Sequence, residues 1–487
     1  MSENGQKPDK ITRFRKPLLI GIIVFLFPVW MLLLPVLFNF VFGFFHPVPI
    51  LALVFVTILT IVAILLLTWR YYNNLEVQRT RIETWLDNHW KKASFSIIGA
   101  GWLYFLSGFS PTGFWLREAS FYWILIAVII LLFIGHRLFL MRITNQKHYK
   151  PVSRYQLALL LLVTVFLLSA SSLPYVQVNT VVTQVSSPEL LEYNPISPLV
   201  PLTEDFSWQT FLLDYPTSNR PIKSVKNLPY NDFNKLDVFF IDDGRIHPVM
   251  IVIHGGGWTI ESKNSRATKE VAVFMAQQGF TVFNIDYRLF PQANFTGMMS
   301  DVRDAVVFAK MNAASYFGDG NKTFLYGQSA GGHLALLAAY GIDHPYFREY
   351  CGNYTAEELK VSGVAAVYAI SDLIAFEKEA GIFGAEHLIN QLVGENLQEV
   401  PSLHAVFSPI AHVNRSGLPP TFISAGSLDA LVQVTHSRNL HAALKEREVP
   451  NLYVEIPWAN HAFDGFLKGP GGQVTMHFLL NFFSHFS

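Results

Sequence analysis

Charge is scarce in this sequence of 487 residues: Asp, Glu, Lys and Arg make up 15% of it, against 51% hydrophobic and 14% aromatic residues. An ordinary soluble domain carries about 25% charged residues, so the chain lacks the polar surface to cover itself in water unless part of it lies in another solvent. Its 36 basic and 36 acidic residues cancel, and no long Lys/Arg cluster occurs. That excludes the electrostatic footprint of a nucleic-acid-binding protein. A single cysteine, Cys351, excludes an internal disulfide framework and a cysteine-based zinc or iron–sulfur site. Its expected role is that of a small buried hydrophobe. Metal-ligand spacings and phosphate loops are also lacking, so no cofactor is implied. The high apolar content excludes disorder and collagen-like structure, and the length allows two or three units at about 100 to 200 residues each.

What the sequence has instead is long uncharged runs near its start. Residues 17–45 contain no charged side chain, nor do 50–69, and a membrane-spanning helix needs about 20 such residues. Residues 119–135 and 155–176 meet the same test. The segment 94–109 is short and interrupted by Gly99, Gly101 and Gly108, so hydropathy leaves it open. Charge placement favours it as a span, because Lys and Arg stay on the cytoplasmic side of membrane helices. Basic clusters at Lys7–Lys16, Arg70–Lys92 and Arg137–Arg154 fall on one side only if all five segments cross. The expected front unit, 1–176, is therefore an all-α transmembrane domain with a cytoplasmic amino terminus, and the lipid bilayer is its partner. Everything after it is expected on the non-cytoplasmic side. Sequons at Asn294, Asn321, Asn353 and Asn414 agree with that side without establishing it. Residues 177–235, with the Pro- and Ser-rich stretch 186–201, read as linker and lead-in.

From 236 to 487 the pattern changes to short β-branched and aromatic runs alternating with amphipathic helices, which predicts an α/β domain with a mostly parallel sheet covered on both faces. Strands are expected at Leu236–Ile241, Val249–His254, Thr281–Ile285, Thr323–Tyr326, Val364–Ala369, Thr421–Ala425 and Leu452–Ile456. Expected helices are Ala267–Gln278, Met298–Tyr316, Ala330–Tyr340, Val432–Arg447 and Val474–Phe486. Functional groups belong at the carboxyl ends of such strands.

Two glycine-bearing motifs stand there. Gly327-Gln328-Ser329-Ala330-Gly331 lies between a predicted strand and a predicted helix, where a nucleophilic serine on a sharp turn needs small neighbours. The helix start behind Ser329 offers unpaired N–H groups and a positive dipole end to a developing negative charge. Upstream, His254-Gly255-Gly256-Gly257-Trp258 ends a strand with three residues whose amides are unobstructed by Cβ. Stabilising an oxyanion is worth roughly 3 to 4 kcal/mol per donor. A serine also needs a base and an orienting carboxylate. In the order serine, acid, histidine, His461 and Asp429 follow the last two predicted strands, with Asp372 as a less favoured competitor one strand earlier. His333, on the helix after the serine, is poorly placed as its base, and Asp464 lies too close to His461 along the chain to be favoured as its orienter.

These strings, together with Asp286-Tyr287-Arg288-Leu289-Phe290-Pro291, the Leu428–Val432 segment and His461–Asp464, resemble the hormone-sensitive-lipase-like carboxylesterases, and within them the acetyl and feruloyl esterases and prenylcysteine methylesterases. The resemblance covers about 236 to 487 and implies an α/β-hydrolase fold behind the transmembrane unit. It also implies Ser329 as nucleophile, His461 as general base, Asp429 as its orienter, and the N–H groups of Gly256, Gly257 and Ala330 as the oxyanion hole. Asp286 and Arg288 match a structural element of the family, expected to be an internal hydrogen-bonded pair that positions the glycine loop. Phe290 and Gln292 depart from the family pattern beside Pro291. The expectation is a membrane-anchored serine hydrolase of small-molecule carboxylic esters. An acyltransferase using the same triad and a non-catalytic binding domain are the alternatives. The segment 375–401 is read either as a lid or as a packed crossover.

Overall fold

The computed structural model describes residues 221–379, 385–396 and 399–486, together with isolated positions between 164 and 210. The spans expected at 17–45, 50–69, 94–109 and 119–135 lie outside the described residues, as does all but a few positions of 155–176. Among the described residues, no helix is long and apolar enough to cross a membrane.

The described chain runs β1 (Ile222–Pro229), β2 (Lys235–Ile241), β3 (His247–Ile253), α1 (Arg266–Gln277), β4 (Thr281–Ile285), α2 (Phe295–Asn312), β5 (Gly318–Gln328) and α3 (Ala330–Tyr340). Two short helices, α4 (Pro345–Tyr350) and α5 (Ala356–Leu359), lead to β6 (Gly363–Val367). Then come α6 (Leu373–Glu379), α7 (Ala385–Val393), α8 (Pro401–Val406), β7 (Thr421–Gly426), α9 (Thr435–Glu446), β8 (Asn451–Ile456) and α10 (Pro470–Phe486). The strands form one sheet in the order β1-β2-β4-β3-β5-β6-β7-β8. Pairing is antiparallel for β1 with β2 and β2 with β4, and parallel for the rest. The predicted α/β class and mostly parallel sheet are therefore observed.

Why the strands read as unbroken apolar runs is visible in β3. Val249, Ile251 and Ile253 enter one core cluster with Met298 and Val302 of α2, Leu334 and Leu337 of α3, and Leu440 of α9. Met250 and Val252 enter the other, with Val271 and Met275 of α1 and Leu479 and Phe483 of α10. Side chains alternate across a pleated strand, so a strand covered on both faces must be apolar at every position. Helix α3 is buried along its whole length, which holds the turn in front of it against the middle of the sheet. Asn294 caps α2, its side chain accepting the Gly297 N–H at 3.1 Å. Cys351 is fully buried, as a small hydrophobe would be, and burial pushes its thiol up to about 12. Within the segment 375–401, the described apolar side chains Phe376, Ile389, Leu392 and Val393 are buried in the core.

Candidate active site

Strands β3, β5, β7 and β8 run parallel, so the loops that follow them gather along one edge of the sheet. Those loops carry His254–Gly257, Ser329, Asp429 and His461. At the end of β5 the backbone of Ser329 takes φ 52° and ψ −120°, a left-handed conformation that costs of order 1–3 kcal/mol and persists only where the surroundings enforce it. They do so here: the Ser329 N–H donates to the Val367 carbonyl of β6 at 2.9 Å, and a Cβ on Gly327 would collide with the Gly331 backbone. The turn thus exists only because Gly327 and Gly331 carry no side chains.

Ser329 Oγ lies 2.9 Å from His461 Nε2, and His461 Nδ1 lies 2.8 Å from Asp429 Oδ2. All three residues are buried. The other oxygen of Asp429 accepts the backbone N–H groups of Leu431 at 2.9 Å and Val432 at 2.8 Å, which fixes the carboxylate. Asn460 ties the acid loop to the histidine loop, its Oδ1 accepting the N–H groups of Ala430 and His461 at 3.0 and 2.7 Å. The structure brings the three predicted residues together and leaves Asp372 elsewhere: Asp372 caps α6 by accepting the N–H groups of Ile374 and Ala375. His333 is also apart, fully buried against the rings of Trp258 and Phe295 with Nε2 2.7 Å from the Phe407 carbonyl. Burial lowers its pKa to about 4 and keeps it neutral.

The glycine loop rests on this turn. A Cβ on Gly255 would stand 3.5 Å from the Ser329 Cβ, and Gly256 has φ +95°, a conformation open to glycine. Among the described residues, neither Gly256 nor Gly257 donates its N–H to a protein acceptor. Ala330 opens α3, so its N–H is one of the helix's unpaired donors. Gly255 thus lies against the serine turn, and the amides of Gly256 and Gly257 that follow it are without a partner among the described residues.

The expected pair between Asp286 and Arg288 is not formed. Arg288 grips Asp301 of α2 instead, with Nη2 2.8 Å from Oδ1 and Nε 2.9 Å from Oδ2. The reason is burial: Asp301 is fully enclosed, and a buried carboxylate demands a charged, hydrogen-bonded partner. Asp286 accepts the Lys263 N–H at 2.7 Å, which holds the end of the glycine loop rather than its start. Bracing of the loop start falls to Tyr287, whose hydroxyl donates to the carbonyls of His254 and Gly255 at 3.2 and 3.3 Å. Its ring stacks on His254 at 4.3 Å, and burial lowers the His254 pKa to about 4.

Asp464 has a role that its nearness to His461 in sequence conceals. It is fully buried and accepts Tyr326 Oη at 2.8 Å, Gln328 Nε2 at 2.6 Å and the Tyr368 hydroxyl. Desolvation raises its pKa, opposed by these three donors. Gln328 precedes the serine and the Tyr368 ring lies 4.6 Å from the His461 ring. Asp464 therefore knots together the supports of both. The only signal for it in the sequence is an acid shortly after a strand-end histidine.

A protein-family model described as BD-FAE matches residues 236–444. Over 237 residues, 47% of this chain, the sequence is 32% identical to Esterase LipQ of Mycobacterium tuberculosis, covering 54% of that protein. Over 246 residues it is 32% identical to a probable isoprenylcysteine alpha-carbonyl methylesterase ICME of Oryza sativa subsp. japonica, covering 49% of this chain and 58% of that protein. The crystal structure of esterase B from Lactobacillus Rhamnosis superposes with a TM-score of 0.48 at 20% identity, covering 56% of this chain and 89% of that one. The chain spans about half the length of the curated relatives it matches. In sequence, then, its second half is similar to BD-FAE proteins and to proteins named as esterases.

Proposed function

We propose that the protein is a membrane-anchored carboxylic ester hydrolase working through an acyl-enzyme on Ser329. The observation that carries this reading is the continuous chain of contacts from Ser329 Oγ through His461 to Asp429, at 2.9 and 2.8 Å, with the glycine loop against the same turn. The likeness of residues 236–444 to BD-FAE proteins supports the same chemistry.

In this reading His461 Nε2 takes the hydroxyl proton as Ser329 Oγ attacks the ester carbonyl, and Asp429 stabilises the imidazolium that forms. The N–H groups of Gly256, Gly257 and Ala330 receive the negative oxygen of the tetrahedral intermediate. Collapse breaks the bond to the alcohol, whose oxygen collects the proton from His461. Water then attacks the acyl-serine with His461 again as base, releases the acid and restores Oγ–H. The uncharged runs at 17–45, 50–69, 94–109, 119–135 and 155–176 anchor the chain in this reading, place the hydrolase on the non-cytoplasmic side, and bring lipophilic esters within reach.

Replacing Ser329 with Ala tests the assignment. Turnover of p-nitrophenyl esters is expected to fall roughly 10⁴-fold or more, with loss of fluorophosphonate labelling. Retained turnover in that variant would remove Ser329 from the reaction.

A further inference from the structure

Strand β6 leads into a buried tyrosine that the mechanism above does not use. The Val367 carbonyl accepts the Ser329 N–H at 2.9 Å, and the next residue, Tyr368, donates its own N–H to the Ser424 carbonyl of β7 at 2.7 Å. The strand end is thus pinned to the serine turn and to β7 at once. There the Tyr368 backbone takes φ +42°, a left-handed conformation that bulky residues rarely adopt and that persists only where the surroundings enforce it. The Tyr368 ring stands with its centroid 4.6 Å from that of His461, and the Phe463 ring meets it edge-on at 5.3 Å. Its hydroxyl donates to Asp464, which also accepts Gln328 Nε2 at 2.6 Å and the Tyr326 hydroxyl at 2.8 Å. Gln328 is the residue before Ser329. One buried carboxylate therefore reaches the serine turn through Gln328 and the histidine ring through Tyr368, and so fixes the spacing of the two.

The imidazole needs such a hold because its bonds change during the reaction. At rest both ring nitrogens have partners, Ser329 Oγ at 2.9 Å and Asp429 Oδ2 at 2.8 Å. In each half-reaction Nε2 trades between Ser329 Oγ and the oxygen of the leaving alcohol or of water, and during that exchange the Asp429 bond alone would leave the ring free to swing. A side chain packed against the ring removes that freedom. We propose that Tyr368 is a positioning residue for the reaction: its ring keeps the His461 imidazole aimed at Ser329 and the leaving oxygen, and Asp464 anchors its hydroxyl. This rests on the ester-hydrolase reading and adds a part to the same site.

Two substitutions in the full chain separate the ring from the hydroxyl: Tyr368→Phe keeps the ring and takes one donor from Asp464, whereas Tyr368→Leu removes both. Turnover of p-nitrophenyl acetate is counted per site titrated to completion with a fluorophosphonate, so misfolded chain drops out of the count. In Tyr368→Leu kcat is expected to fall roughly 10²-fold, the scale of a displacement of about 1 Å among reacting groups. Tyr368→Phe is expected to recover most of that loss, staying roughly three- to tenfold below wild type, with KM within about twofold of wild type in both variants. A residue that only supports the fold would instead lower the denaturation midpoint and the number of titrated sites, leaving kcat per site unchanged. That result, or a rise in KM with kcat intact, would overturn the positioning role. Should Tyr368→Leu yield no titratable sites, Tyr368→Phe decides alone, and wild-type kcat in it overturns the proposal. A wild type that neither reacts with the fluorophosphonate nor turns over the ester would overturn the hydrolase reading itself, and this inference with it.

Discussion

Two buried carboxylates lie close to His461, and their surroundings separate their work. Asp429 faces the imidazole with one oxygen and two backbone amides with the other, which holds the carboxylate in place against the ring. Asp464 instead accepts from two tyrosines and Gln328. Truncating Asp464 to Ala would leave three buried donors without their acceptor. Urea denaturation is expected to report a loss of about 3 kcal/mol or more, and a loss under 1 kcal/mol would contradict the knot described here. Ser329, Asp429 and His461 were legible in the sequence because each sits in a short motif at the end of a predicted strand. The partner of Arg288 was not legible. Sequence neighbours offered Asp286, whereas the decisive fact was the burial of Asp301, thirteen residues on in α2, and burial is a property of the packed chain.

At the level of elements, the strands that were easiest to read are those covered on both faces. Thr281–Ile285 forms with the predicted bounds, and helix Ala330–Tyr340 does likewise. Strand β1 was missed because its pattern is polar: Lys223 and Lys226 project from an edge strand exposed along much of its length, and pairing with β2 rather than burial holds it in place. Its lysines suit an edge, where charge discourages pairing with another chain. Helix α2 begins earlier than its apolar periodicity predicts, since the Asn294 cap sets the start, and it ends at Asn312, where a 3-10 turn over Ala313–Tyr316 takes over. Short helices such as α4 and α5 have too few turns to show a period at all.

For the whole molecule, the scarcity of charge resolves into a division of labour along the chain. The parallel sheet from 236 onward is an ordinary two-faced α/β core, and the uncharged runs lie before it. The proposed arrangement, hydrolase on the non-cytoplasmic side, makes the four sequons reporters of topology. Asn294, Asn321, Asn353 and Asn414 are all exposed. Produced in cells with an N-glycosylation machinery, the chain is expected to gain glycans that an endoglycosidase removes with a visible drop in mass. A chain that inserts in the membrane yet gains none would place the hydrolase on the cytoplasmic side. The central claim is chemical, however, and is tested most directly by trapping the intermediate. Acid-quenching the enzyme within the first turnover of p-nitrophenyl acetate and mapping its peptides by mass spectrometry is predicted to find one acetyl group on Ser329, absent from Ser329→Ala. Hydrolysis that proceeds with no acetylated peptide, or with the acetyl group on another residue, would contradict the account.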